Sequence, residues 1–283
     1  MKFTKELEVA VQAAKEAGDE IAKHFHNFHG ERARFSLEVK ESRDSSSEDD
    51  KKIGNILKPR LTKAFPDFGY YSEEKGQRIG GRYQWTVDET DGTTQKAMHI
   101  PYFSIAIGLN DTKLRKTVLS VVYNPITGEM FTTAESGKAY CHNLLTGEKH
   151  VMRVGNSTDF KQMIILFNPN LDVPPAYETY HKIYRKLFDG FRITPILFSS
   201  DLDLTRVADG LAGAVVSART APYDHVGSLI VENAGGLVVG PDGKKFDPMR
   251  RGIIAANSKK TLKRLEDLGV VELCKQIDNV SPR

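Results

Sequence analysis

Residues 83–94 read Tyr83-Gln84-Trp85-Thr86-Val87-Asp88-Glu89-Thr90-Asp91-Gly92-Thr93-Thr94. Tyr83, Trp85 and Val87 alternate with polar neighbours, the two-residue period of a strand. The acids follow where that strand is expected to end and the backbone to turn. Asp88 and Asp91, three apart in a turn, can aim at one point. Two crowded carboxylates repel and need a cation between them. Donor sets made only of oxygen select hard ions such as Mg²⁺. Gly92 permits close backbone approach. If Thr93 and Thr94 open a helix, their free N–H groups form an anion site beside the acids. Taken alone, the segment also reads as a plain acidic Asp-Gly turn.

Upstream, Leu7, Val11, Ala14, Ala17 and Ile21 recur at helical spacing and predict a helix over Thr4–Phe28. A polar stretch, Glu38–Asp50, separates it from a second helix over Lys51–Ala64, ended by Pro66. Downstream, Phe103, Ile105, Ile107 and Leu109 alternate again, and Thr117–Tyr123 and Glu129–Thr133 flank the turn signal Asn124-Pro125. The first half, 1–145, is therefore expected to hold two helices and a largely antiparallel sheet.

The second half, 146–283, changes rhythm. Strands are expected at Met163–Phe167, Arg192–Phe198, Gly213–Ser217 and Gly252–Ala256. Helices are expected at Tyr177–Phe188, Leu202–Leu211, Val226–Asn233 and, capped by Ser258, to about Lys275. Pro241-Asp242-Gly243 is expected to turn a hairpin. Alternating strands and helices indicate an α/β half, and the absence of a linker predicts that the two halves form one compact unit.

The composition bounds the remainder. Forty Lys+Arg against 37 Asp+Glu leave a net charge of +3, spread along the chain. Nucleic acid is not an expected partner, since that needs a denser basic stripe. No apolar run reaches the ~18–20 residues of a membrane span, and the first helix carries acids where a signal core would be apolar. Cys141 and Cys274, the two cysteines, exclude a disulfide scaffold and a Cys-rich zinc module. A cytoplasmic globular protein is expected.

Two further acidic sites bear on Asp88 and Asp91. Ser72-Glu73-Glu74 precedes the motif strand, and Pro222-Tyr223-Asp224 opens a helix. Alone, the first reads as surface and the second as a cap. Together with the motif, and with Ala234-Gly235-Gly236, they make an ordered set that resembles the inositol monophosphatase family, a branch of the Mg²⁺-dependent, lithium-sensitive phosphatases. The likeness extends to Ala17-Gly18, Val122-Tyr123-Asn124-Pro125, Gly137-Lys138-Ala139-Tyr140 and Leu202-Asp203-Leu204.

The resemblance implies a layered αβαβα sandwich of mixed α+β and α/β character, usually a homodimer. It implies that Glu73, Asp88 and the Thr90 carbonyl hold one Mg²⁺, and that Asp88, Asp91 and Asp224 hold a second. Gly92, Thr93 and Thr94 would form the phosphate cradle. Asp50, 23 residues before Glu73, would pair with Thr93 to activate the attacking water. Lys40 and Asp44 resemble the loop that brings a third Mg²⁺. The implied reaction is hydrolysis of a small phosphorylated substrate, a sugar or polyol phosphate, most simply inositol monophosphate. Bisphosphate nucleotidase and fructose-bisphosphatase activities are alternatives, as is a relative that works through transcription partners.

The chain departs from the family pattern at several points. Glu89 stands where Pro is usual and is expected to point outward, and Tyr223 replaces Trp. Phe198 stands where Gly precedes the substrate-lining Ser199, Ser200 and Asp201 replace two alanines, and Ser217 falls near the acid that binds sugar hydroxyls. The substrate wall, represented by Ser199, Asp201 and Ser217, is thus altered while the metal positions remain.

Other signals carry less. Asp201-Leu202-Asp203-Leu204-Thr205 imitates the nucleophile motif of haloacid-dehalogenase phosphatases without its downstream partners. His24, His26 and His29 gather at a helix C-terminus, where positive charge is favoured. His225 either touches substrate or faces outward, and both cysteines are expected to be inert.

Overall fold

The computed structural model describes residues 2–26, 38–39, 45–46, 48–169, 176–192 and 194–278. Its helices are α1 (Thr4–His26), α2 (Glu48–Ala64), α3 (Thr93–Ala97), α4 (Tyr177–Gly190), α5 (Ser200–Ala208), α6 (Ser228–Asn233), α7 (Lys259–Asp267) and α8 (Val270–Asp278). The short strands β1 (Glu38–Val39) and β2 (Ser45–Ser46) pair with each other. The main sheet holds β3 (Gly69–Ser72), β4 (Gly76–Arg78), β5 (Tyr83–Asp91), β6 (Ser104–Asp111), β7 (Lys116–Tyr123), β8 (Glu129–Ala134), β9 (Tyr140–Asn143) and β10 (Lys149–Val151). Its order is β10-β9-β8-β7-β6-β5-β3-β4, antiparallel except where β3 runs parallel to β5. A second sheet, β11 (Ile165–Phe167), β12 (Ala214–Ser217), β14 (Ile253–Ala256) and β13 (Leu237–Val239), lies in that order, with β11 and β12 parallel.

Three apolar cores separate five layers. Helices α1 and α2 cover one face of the main sheet through Ala14, Ala17, Leu57, Trp85 and Ile107. Helices α5 and α6 fill the space between the sheets with Leu202, Val207 and Ile230 against Phe131 and Val215. Helices α4, α7 and α8 close the far face with Ile183, Leu187, Leu265 and Ile277. This is the αβαβα sandwich. The alanine face of α1 lets it lie close to the sheet; at Gly18 an added Cβ would sit 2.4 Å from the Tyr123 ring. Trp85 is fully buried against Phe65 and Phe68, at centroid distances of 5.8 and 6.2 Å. Truncating such a side chain costs about 3–5 kcal/mol.

Several expected elements change. Arg192–Phe198 forms no strand: its described residues are irregular, joined to β11 by the Phe167 N–H donating to the Pro195 carbonyl (3.2 Å). Proline has no N–H to continue a ladder. The last helix divides at Gly269, whose φ of +75° ends α7 as a glycine commonly does. The helix expected at Val226–Asn233 is present as α6, starting two residues later, and an unforeseen 3-10 turn, Pro222–His225, precedes it. Strands β3, β4, β9 and β10 were not foreseen; each is four residues or fewer.

Candidate active site

Strand β5 does not end at Val87; it runs to Asp91. Its pairing with β6 shifts register, because Asp88 lies opposite Ala106 while Asp91 lies opposite Ser104. Three steps on one strand match two on the other, a bulge at Glu89-Thr90. In a regular strand, residues three apart face opposite sides. The bulge returns Asp91 to the side of Asp88, and the Thr90 N–H donates to Asp88 Oδ1 (2.9 Å) across it.

On that side the 3-10 turn brings in the third acid. Carboxylate oxygens of Asp88, Asp91 and Asp224 all lie within 4.8 Å of one another. Asp88 is pushed well above the usual carboxylate range, first by burial and then by the charges of Glu73, Asp91 and Asp224. Glu73, half-buried just beyond β3, is thus a fourth member of the acidic group. Asp224 also caps its own turn by accepting from the Ala221 N–H (2.6 Å). Acids this close, offering only oxygen, suit a hard divalent cation.

Asp91 is fixed from the other half of the chain. Its carboxylate accepts from the Ser200 N–H (2.9 Å), the Asp201 N–H (2.8 Å) and the Ser199 hydroxyl (2.9 Å) at the start of α5. Free N–H groups and the helix dipole favour an anion there. Burial, opposed by these bonds, pushes Asp91 up to about 6. Asp201 is itself buried; its Oδ1 accepts from the Gly227 N–H (2.6 Å), and burial with the Asp91 and Asp224 charges raises it strongly. It therefore ties α5 to the segment bearing Asp224.

Asp50, in the first turn of α2, is also buried, and its carboxylate is bound by the Lys96 ammonium. Lys96 Nζ further donates to Thr90 Oγ1 (3.4 Å), and the Thr93 hydroxyl donates to the Thr90 carbonyl (3.0 Å). Gly92 precedes α3 at φ +95°. An added Cβ there would meet the Tyr102 carbonyl and Phe103 Cβ at 3.1 Å, so glycine is required. Lys40 and Asp44 lie outside the described residues.

A model of the inositol monophosphatase family matches residues 3–272. The chain belongs to the inositol monophosphatase family. Inositol monophosphatase 2 of Solanum lycopersicum is 31% identical over 262 residues, covering 89% of this chain and 93% of its own. The Nus factor SuhB of Escherichia coli (strain K12) is 29% identical over 259 residues, covering 89% and 91%. Among solved structures, the extragenic suppressor protein suhB from Bartonella henselae superposes with a TM-score of 0.82 at 28% identity, covering 94% of this chain and 98% of that one. Family membership makes the chain a phosphomonoesterase.

Against the inositol monophosphatase pattern, Glu89 is the main correction. It does not point outward but is fully buried, on the side where α2 carries Gly54; a Cβ at Gly54 would lie 3.0 Å from Glu89 Oε1. Glu89 Oε2 accepts from the Glu74 N–H (3.3 Å), and burial raises Glu89 to about 7 despite help from Ser72 and Glu74. Phe198 adopts φ +56°, a conformation that suits glycine, and remains 39% exposed beside Ser199. Ser217 is buried in β12, and its hydroxyl has no hydrogen-bond partner among the described residues. His225 neither faces outward nor stands open to substrate. It is buried, bonded to Thr220 Oγ1 (2.7 Å), and held down to about 3 by burial and by Arg251.

The Asp201–Thr205 motif lies inside α5, not at a strand end, so it cannot present a nucleophile in the dehalogenase manner. Both cysteines are free and buried, and burial pushes each thiol up to about 12. The side chains of His24 and His26, and all of His29, lie outside the described residues.

Sequence reasoning missed Lys96, Tyr102 and Asp203. Asp203 accepts from the Tyr102 hydroxyl (2.6 Å) and Asn168 Nδ2 (2.8 Å), and burial raises it to about 7. Lys96 sits one helical turn beyond Gly92, and that spacing was the signal available for it.

Proposed function

We propose that this chain is a Mg²⁺-dependent phosphomonoesterase acting on a sugar or polyol phosphate, most simply an inositol monophosphate. The observation that carries the reading is the meeting of Asp88, Asp91 and Asp224 within 4.8 Å, with Glu73 beside them. Glu73, Asp88 and the Thr90 carbonyl would hold one ion, and Asp88, Asp91 and Asp224 a second. Divalent ions bound there supply electrophilic stabilisation of the phosphoryl oxygens and acidify water. The N–H groups of Gly92, Thr93 and Thr94 would orient the phosphate, while Asp50 and the Thr93 hydroxyl would position the attacking water. Ser199, Asp201 and Ser217 would shape the substrate wall, with Phe198 narrowing it.

The halves 1–145 and 146–283 would act as one unit in a cytoplasmic homodimer. In support, Arg206 of α5 makes paired bonds of 2.9 and 3.0 Å to Glu129 of β8. Among the described residues no helix is long and apolar enough to cross a membrane. The test is phosphate release from inositol 1-phosphate, fructose 1,6-bisphosphate, adenosine 3′,5′-bisphosphate and histidinol phosphate, with Mg²⁺ and with chelator. Activity on the first substrate, lost in Asp91→Asn and inhibited by Li⁺, is expected. Undiminished release in chelator would overturn the proposal. The relatives named as Nus factors support a second reading, a role in transcription complexes. An inactive protein that co-purifies with RNA polymerase would favour it.

A further inference from the structure

Lysine is almost never fully buried without a partner, yet Lys96 and Asp50 are each only 2% exposed, and they face one another. The ammonium lies between two chain segments. On one side it binds Asp50 Oδ1 of α2; on the other it reaches Thr90 Oγ1, at 3.4 Å, on the bulge. Thr90 is joined to the acidic group through its own N–H to Asp88 and to Thr93 through its carbonyl. The cation is therefore one residue removed from the cluster, in the corner where a water would be positioned for attack.

We propose that Lys96 is a built-in cation of this site: it pins the Asp50 carboxylate beside the Thr90–Thr93 segment and takes the place of an exchangeable divalent ion at that carboxylate. The proposal rests on the phosphatase reading and adds a positioning residue to it. An ionised carboxylate in this interior needs a counter-charge. A lysine supplies one that does not dissociate, carries half the charge of Mg²⁺ and leaves Asp50 oriented when the exchangeable ions depart. Removing the ammonium would leave Asp50 as a buried oxygen donor facing Thr90 across the vacated space, open to a divalent ion.

The experiment counts Mn²⁺ bound to the full chain without substrate, by electron paramagnetic resonance, in four proteins. Lys96→Met is expected to bind one ion more than the unaltered chain. Lys96→Arg, which keeps the charge, should bind the same number, and so should Asp50→Asn/Lys96→Met, which removes the pair. An unchanged count in folded Lys96→Met would overturn the proposal. Should Lys96→Met not fold, Asp50→Asn decides. With its ammonium lacking that counter-charge, Mn²⁺ affinity is expected to fall on the order of tenfold, and adding Lys96→Met should restore it. Equal affinity in the single and double variants would overturn the proposal. An unaltered chain that binds no Mn²⁺ would overturn the phosphatase reading together with this one, whereas the other negative results leave that reading standing.

Discussion

In chelating buffer this protein is expected to become more stable as the pH falls from 8 to 5. Asp91, Glu89 and Asp203 are buried carboxyls raised from ordinary values of 3.8, 4.5 and 3.8 to about 6, 7 and 7. A group whose folded value lies above its unfolded one contributes stability that is complete below the unfolded value and is lost as pH rises through the folded value. Between pH 8 and pH 5, Asp91 regains about one unit and the other two about two units each, at about 1.4 kcal/mol per unit. Asp88 and Asp201 move in the same direction. His225 opposes them: lowered from 6.5 to about 3, it withdraws roughly 2 kcal/mol as the pH drops to 5. The acids outweigh the histidine, leaving a gain of about 5 kcal/mol, or roughly 10 °C in Tm for a domain of this size. Thermal melts followed by circular dichroism at half-unit pH steps would measure it. Adding Mg²⁺ should raise Tm most at pH 8, where the acids are ionised. A Tm that falls between pH 8 and pH 5 in chelator would refute the reasoning.

Two substitutions test the supports of the site. Arg206→Met removes the guanidinium bound to Glu129 and lying over the Phe131 ring at 5.6 Å; it should cost about 3 kcal/mol, read by urea denaturation, with part recovered in Glu129→Gln/Arg206→Met. Gly92→Ala forces a Cβ into the left-handed backbone and against Tyr102. It should cost about 2 kcal/mol and lower phosphate release at least roughly tenfold, so wild-type stability and turnover together would contradict the strain assigned to that position.

Parts of this were legible in the residues and parts were not, for identifiable reasons. Alternation revealed β5 and β6, and the ordered acids revealed Asp88, Asp91 and Asp224, because both signals are local in the chain. The bulge at Glu89-Thr90 was hidden, since a register shift exists only relative to a partner strand. Glu89 was misread because the space receiving it is made by Gly54 on another element. Lys96 has no local signal of burial, because its counter-charge, Asp50, arrives from α2. Arg192–Phe198 is apolar enough for a strand, but Pro195 and the left-handed Phe198 deny it a ladder.

The attachment of Asp91 to α5 also has a bearing on synthesis. Its donors are 108–110 residues further along the chain. On the ribosome, the two aspartates that flank the bulge emerge long before the amides that hold one of them. Any nascent product stopped ahead of Ser199 thus carries a crowded pair of negative charges with neither anchor nor turnover. Expressing the halves as separate polypeptides should give two inactive pieces that become an enzyme only on re-association.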